Sequence, residues 1–153
     1  MLRYGEMTKA EHLRELMARA GASGPKGPYV AYFYFFNRQE FYDAHDVLEA
    51  LWLPERKGPN NDFYKALIQV AGAFVHLQKG RVKPAIALFK LARSYLEKYP
   101  PRHEGLSVAE VLGMIDGWVE RLERIKDDSP QIQGGTQIGF DLKEVSLKLS
   151  PCA

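Results

Sequence analysis

The sequence predicts an all-α fold, a compact bundle of five or six helices with a central buried helix and an extended C-terminal tail. Three observations predict it. Apolar residues recur at helical spacing through most of the first 126 residues, and capping and breaking residues fall where those runs begin and end. One run, Phe63 to Lys79, is apolar nearly all round, as expected of a helix packed on several sides. At 153 residues, 46% hydrophobic and 26% charged with a net charge of +2, the chain is of ordinary globular composition. One helical domain is expected over residues 1–126, with a tail at 127–153.

The first helix opens at Thr8-Lys9-Ala10-Glu11, a capping box, continues through Leu13, Leu16 and Met17, and ends at Gly21. Ala22 to Pro28 is a linker rich in small residues and proline, with Pro28 suited to the first position of the next helix. Tyr29 to Trp52 is strongly apolar and breaks once, at Asn37-Arg38-Gln39, a tight junction between two helices. The second of these carries Phe41, Ala44, Leu48 and Leu51 on one stripe. Leu53 to Asn61 is a loop by its prolines, glycine and asparagines, and Asn60 or Asn61 can cap the next helix.

The central helix carries Leu67, Ile68, Val70, Ala71, Phe74, Val75 and Leu77 and stops at Gly80. Val82 to Tyr99 is helical through Ala85, Phe89, Ala92 and Leu96, until Pro100-Pro101 ends it. Ser107-Val108-Ala109-Glu110 is a second capping box, opening a helix through Val111, Leu112, Ile115, Trp118, Val119 and Leu122. Beyond Lys126 come Ser129-Pro130 and Gly134-Gly135, then Val145, Leu147 and Leu149 in alternation. That pattern suits an extended segment in a groove of this chain or of a neighbouring subunit, with a partly disordered terminus as the equal alternative.

Polar side chains on apolar helices are the informative residues, because burying them unpaired costs about 1–3 kcal/mol each. His45, Glu49 and Trp52, spaced i, i+4, i+7, share one helix face. Gln69 and His76 share a face of the central helix, with Gly72 and Ala73 leaving room between them for a backbone or a ligand. If the two faces meet, His45, Glu49, Gln69 and His76 form a buried polar pocket, with Trp52 as a wall and Glu40 or Asn37 at its entrance.

The run from Phe36 to Trp52, with its Asn37, Glu40, Phe41-Tyr42-Asp43-Ala44-His45-Asp46, Glu49 and Trp52, resembles the block that marks domain of unknown function 309, a family of small helical proteins of bacteria and archaea. Phe63 to Gln69, His76 and Gly80 are similar to that family's second block. Lys65, Ala66, Arg81 and Pro84 depart from its pattern, outside the candidate pocket. The resemblance covers about residues 30–96. It implies a helical bundle and brings no activity, substrate or cofactor.

Several function classes lack their residues. There is no glycine-rich phosphate loop and no Gly-x-Ser-x-Gly elbow, and the one thiol, Cys152, stands at the chain's end. A single cysteine excludes an internal disulfide and fits a reducing compartment; with no leader-like start and no long apolar run, a cytoplasmic protein without membrane contact is expected. His45, Glu49 and His76 are the residues that could ligate a metal. They lack the His-Glu-x-x-His and Glu-x-x-His spacings, however, so neither metal nor other cofactor is expected.

Charge is uneven, with seven basic and two acidic residues over 79–104 and three basic and six acidic over 105–128. Mutual neutralisation is the simpler explanation, and nucleic acid is not the expected partner. Nucleic-acid binding through the basic 79–104 segment stands third, behind two leading function classes. One is a non-enzymatic binding or interaction module, with a protein, a small molecule or a second copy of the chain as partner. The other is a small-molecule or metal-dependent enzyme, for example a hydrolase, in which Glu49 moves a proton beside His45 and His76. Bound metal would favour the second.

Overall fold

The structure, a computed structural model, describes residues 7–54, 56–128 and 140–150, and of 126–128 the backbone alone. Cys152, Ser129-Pro130 and Gly134-Gly135 lie outside the described residues. Among the described residues the chain is all-α, with six helices: α1 (Lys9–Ala20), α2 (Gly27–Phe36), α3 (Phe41–Trp52), α4 (Asn61–Gln78), α5 (Val82–Leu96) and α6 (Val108–Asp128). None of them is long and apolar enough to cross a membrane.

The helix ends follow local chemistry. Thr8 accepts the Glu11 N–H at 3.1 Å while Glu11 Oε1 accepts the Thr8 N–H at 2.9 Å, closing the expected box. Gly21 and Gly80 both take left-handed backbone, φ 65° and 72°, and the chain at each turns N–H groups back onto the last turn of its helix. Ser107 Oγ accepts the Glu110 N–H at 3.1 Å and opens α6. Asn60 stands before α4 but does not cap it with its side chain, which bonds His103 Nε2 at 2.7 Å instead.

From α2 onward each helix packs on the next in sequence, and α1 lies across α2 and α3. Phe74 of α4 is where these layers converge. Its ring stacks on Phe41 of α3 at 4.9 Å and meets Phe36 of α2 at 5.7 Å, Phe89 of α5 at 5.1 Å and Trp118 of α6 at 5.6 Å. Aromatic pairs at this range contribute beyond their buried area, so one fully buried side chain ties five helices together. The aromatic run of α2 is core, with Tyr29, Tyr32, Phe33, Phe35 and Phe36 all buried.

Two features depart from the sequence expectation. Between α5 and α6 a two-stranded hairpin forms from β1 (Arg102–His103) and β2 (Leu106–Ser107). Glu104 and Gly105 both have positive φ, 50° and 74°, the geometry that reverses a two-residue loop without splaying its strands. Glu104 is held there by its carbonyl, which accepts from Tyr29 at 2.8 Å, and by its carboxylate, paired to Lys26 at 3.1 Å. The second feature is the end of α5 at Leu96 rather than Tyr99.

Residues 140–150 lie extended on the bundle of their own chain. Leu142, Val145 and Leu147 are buried, Leu149 makes a single antiparallel bridge to Leu106, and Ser150 N–H donates to Gly105 O at 2.8 Å. The groove expected for the tail is therefore intramolecular. It is formed by the α2–α3 junction, the hairpin and α6.

Candidate functional site

Of the α3 stripe singled out in the sequence, Glu49 borders α1, which packs on the neighbouring face of Glu40, Asp43 and Asp46. His12 Nε2 of α1 lies 3.2 Å from Asp46 Oδ2, and Arg19 of α1 donates to Glu40 at 3.0 Å and Asp43 at 3.3 Å. Residue 19 pairs with 40 and 43 while residue 12 pairs with 46, so α1 runs antiparallel to α3. His12, Leu16 and Arg19 make one stripe of α1, facing acids spaced three apart on α3.

At the far end of this interface the polar groups gather. His45 Nδ1 lies 3.2 Å from Asp46 Oδ1, and His45, Asp46 and Glu49 each offer a ligand atom within 4.8 Å of the others. Tyr42, 63% exposed, stacks on the His45 ring with centroids 6.3 Å apart. Burial works to raise the pKa of the Asp46 carboxyl, but the hydrogen bonds to His45 and His12 outweigh it and leave the pKa below the ordinary value.

Beside this cluster α1 and α3 enclose a groove of about 300 Å³, lined by Lys9, Ala10, His12, Leu13, Leu16, Asp46, Glu49, Ala50 and Leu53. Leu13, Leu16, Ala50 and Leu53 supply an apolar floor and wall; His12, Asp46 and Glu49 make one end polar. An apolar cleft with a few convergent polar groups is the usual form of a small-ligand site.

The other expected members go elsewhere. Among the described residues no hydrogen bond joins Gln69 or His76 to His45 or Glu49. Gly72 lies between Gln69 and His76 on the same stripe of α4, and a Cβ at Gly72 would stand 3.3 Å from Leu88 Cδ1 of α5. The close approach that this small residue permits is thus that of α5, and the stripe looks at α5 while Glu49 borders the groove beside α1 and His45 bonds Asp46 on its own helix. His45, Glu49, Gln69 and His76 are each half-buried rather than enclosed together.

Glu40 joins the ionic contacts of α1, and Asn37 holds the tail: its Nδ2 donates to Leu147 O at 2.8 Å and its Oδ1 accepts Leu147 N–H at 2.7 Å. Trp52 Nε1, Gln69 Oε1 and His76 Nδ1 are buried with no hydrogen-bond partner. Burial, then the charges of Arg81 and Lys79, lowers the pKa of His76.

His12, Asp46 and Asp43 were not among the residues chosen from the sequence. The signal for them was the matched stripe of basic groups on α1 and acids on α3. The basic α5 meets the acidic α6 as the charge distribution suggests, with Arg93 Nε and Nη2 donating to Asp116 at 2.8 and 3.0 Å and Lys90 paired to Glu123 at 3.4 Å.

Comparison with known proteins gives a family and nothing further. Residues 29–88 match the family model described as Domain of unknown function (DUF309), whereas no curated protein and no solved structure matches the chain. The matched stretch contains all seven residues picked out as a candidate pocket, Asn37, Glu40, His45, Glu49, Trp52, Gln69 and His76, and leaves out α1 with its His12. Over residues 29–88, from the aromatic helix α2 into α5, the chain belongs to the DUF309 family.

Proposed function

We propose that the chain is a helical binding module whose ligand site is the groove between α1 and α3. The observation that carries this reading is the groove itself, about 300 Å³ with an apolar floor and a histidine–carboxylate end. A small organic ligand with an apolar body and one polar end fits that division. The body would cover Leu13, Leu16, Ala50 and Leu53, and the polar end would meet His12, Asp46 and Glu49.

The alternative, an enzyme acting through Glu49, draws support from the same end of the groove, where two carboxylates and an imidazole line one apolar space. His76, on the α5-facing stripe, has no part in it. The ion pairs between α5 and α6 support leaving nucleic acid out of the proposal.

The test is a panel of apolar-bodied amines and carboxylic acids added to the full chain, read by amide shifts in ¹H–¹⁵N spectra. Binding should move amides of residues 9–16 and 46–53 in the parent and not in Ala50→Trp, whose indole fills the groove. Shifts confined to other helices would overturn the assignment, and turnover of any panel member would favour the enzyme.

A further inference from the structure

We infer that the polar end of the groove is a divalent metal site, with His45, Asp46 and Glu49 as ligands and His12 orienting Asp46 from α1. This rests on the groove reading and identifies what its polar end is for. One ligand atom from each of the three lies within 4.8 Å of the other two. Donors bonded at about 2.0–2.2 Å to one ion stand roughly 3.3–3.6 Å apart. His45 Nδ1 and Asp46 Oδ1 are already 3.2 Å apart, so small side-chain rotations complete the set.

One rigid element supplies every donor. His45 and Glu49 are i and i+4 on α3, Asp46 and Glu49 are i and i+3, and such neighbours converge without ordering a loop. The other oxygen of Asp46 is engaged by His12 Nε2 at 3.2 Å, the outer contact that commonly orients a ligating carboxylate. His12 is therefore a positioning residue. The ligand set differs from the one the sequence offered: Asp46 takes the place of His76.

One imidazole nitrogen with two carboxylates suits a first-row divalent ion such as Zn²⁺, Mn²⁺ or Fe²⁺, and offers no thiolate for softer metals. Three protein ligands leave coordination positions open. Asp46, Glu49 and His12 line the groove, so those positions open into it. The polar end of a groove ligand is then a metal donor, such as a carboxylate, rather than an ammonium group.

The full chain, stripped with a chelator and dialysed, is titrated with Zn²⁺ against a chromophoric competitor and, separately, with Mn²⁺ under ¹H–¹⁵N detection. One equivalent of Zn²⁺ should bind, and Mn²⁺ should broaden amides of residues 43–50 and those around His12. His45→Gln and Glu49→Gln should each weaken Zn²⁺ by about tenfold or more, His12→Gln by less, and His76→Gln not at all. Glu49→Gln is nearly isosteric at a half-buried position, and its circular dichroism should match the parent.

Zn²⁺ affinity equal in the parent and Glu49→Gln, or Mn²⁺ broadening centred away from residues 43–50, overturns the proposal and leaves His12, Asp46 and His45 as a hydrogen-bonded clasp. Ala50→Trp separates the two readings, because it blocks the groove and keeps all three donors. Zn²⁺ bound by that variant, with no panel compound bound by the parent, would sink the groove reading and keep the metal.

Discussion

Asn37 grips Leu147 through both atoms of its side-chain amide, giving one hydrogen bond of 2.8 Å and taking another of 2.7 Å, as a neighbouring strand would. The amide supplies, at a helix junction, the pairing that the backbone of residues 145–149 needs in order to lie buried. Asn37→Ala leaves the Leu147 N–H and C=O without these partners, at a cost of about 1–3 kcal/mol. The denaturation midpoint should fall accordingly, and amides of residues 142–150 should exchange faster while those of α4 keep their protection relative to global unfolding. Unchanged exchange in the tail would show that Leu142, Val145 and Leu147 hold it by apolar contact alone.

Gln39 carries a second tail contact at a conformational cost. Its φ is 62°, a left-handed value that costs a non-glycine residue about 1 kcal/mol or more. Its Nε2 donates to Val145 O at 3.0 Å, and its own carbonyl accepts from Gln78 Nε2 at 2.9 Å. Gln39→Gly relieves the backbone and loses the contact to Val145, so the two effects should nearly cancel. Gln39→Ala keeps the strain and loses the same bond, and should be the less stable of the two by about 1 kcal/mol in chemical denaturation. Equal stabilities would mean that the junction relaxes once the side chain is gone.

Phe74 and Gly72 are two residues apart on α4 and should respond very differently to alanine. Phe74→Ala removes a fully buried ring on which four other aromatics converge and should cost about 3–5 kcal/mol, with the larger value if the four surrounding helices cannot close the cavity. Gly72→Ala adds a methyl 3.3 Å from the end of the Leu88 side chain, which can rotate away, and alanine favours helix over glycine by nearly 1 kcal/mol. Its stability should stay within about 1 kcal/mol of the parent. Thermal or chemical unfolding of the two variants side by side decides this, and a severe loss in Gly72→Ala would show that Leu88 is locked.

The helices were legible because each boundary is written in a few adjacent residues: Thr8 with Glu11, Gly21, Gly80, and Ser107 before Glu110. The alternation of Val145 and Leu147 suited an extended segment equally with a disordered terminus, and the structure shows the extended one. The hairpin was not legible, since two residues per strand carry no period and its turn uses Glu104 where asparagine or aspartate is the usual signal.

The candidate site was legible only on α3. Spacing i, i+4 puts His45 and Glu49 on one face of their helix, but says nothing of which helix that face meets. Helix α1 packs on the adjacent face, with Glu49 at its border, because Arg19 and His12 match Glu40, Asp43 and Asp46 in charge and spacing, whereas Gly72 commits the Gln69 and His76 stripe of α4 to Leu88 of α5. Neither preference is visible in one helix taken alone.

His76 makes stability depend on pH below neutrality. Burial is the first cause of its lowered pKa, and Arg81 and Lys79 push the same way. The folded chain therefore takes up this proton less readily than the unfolded chain, whose value is near 6.5. A depressed histidine contributes stability that is fully present above that value and is lost as pH falls through the folded value. The denaturation midpoint should fall between about pH 7 and pH 5, and His76→Gln should flatten that part of the profile. Glu104 and Asp46 are also lowered, but their contributions are lost only below ordinary values of 4.5 and 3.8, outside this window. Arg81→Gln removes one of the two lesser causes and leaves burial, so a ring-proton titration should show the His76 pKa rising while still short of 6.5. A value that reached 6.5 in Arg81→Gln would reverse the order of causes and make His76 a sensor of nearby charge rather than a buried ring.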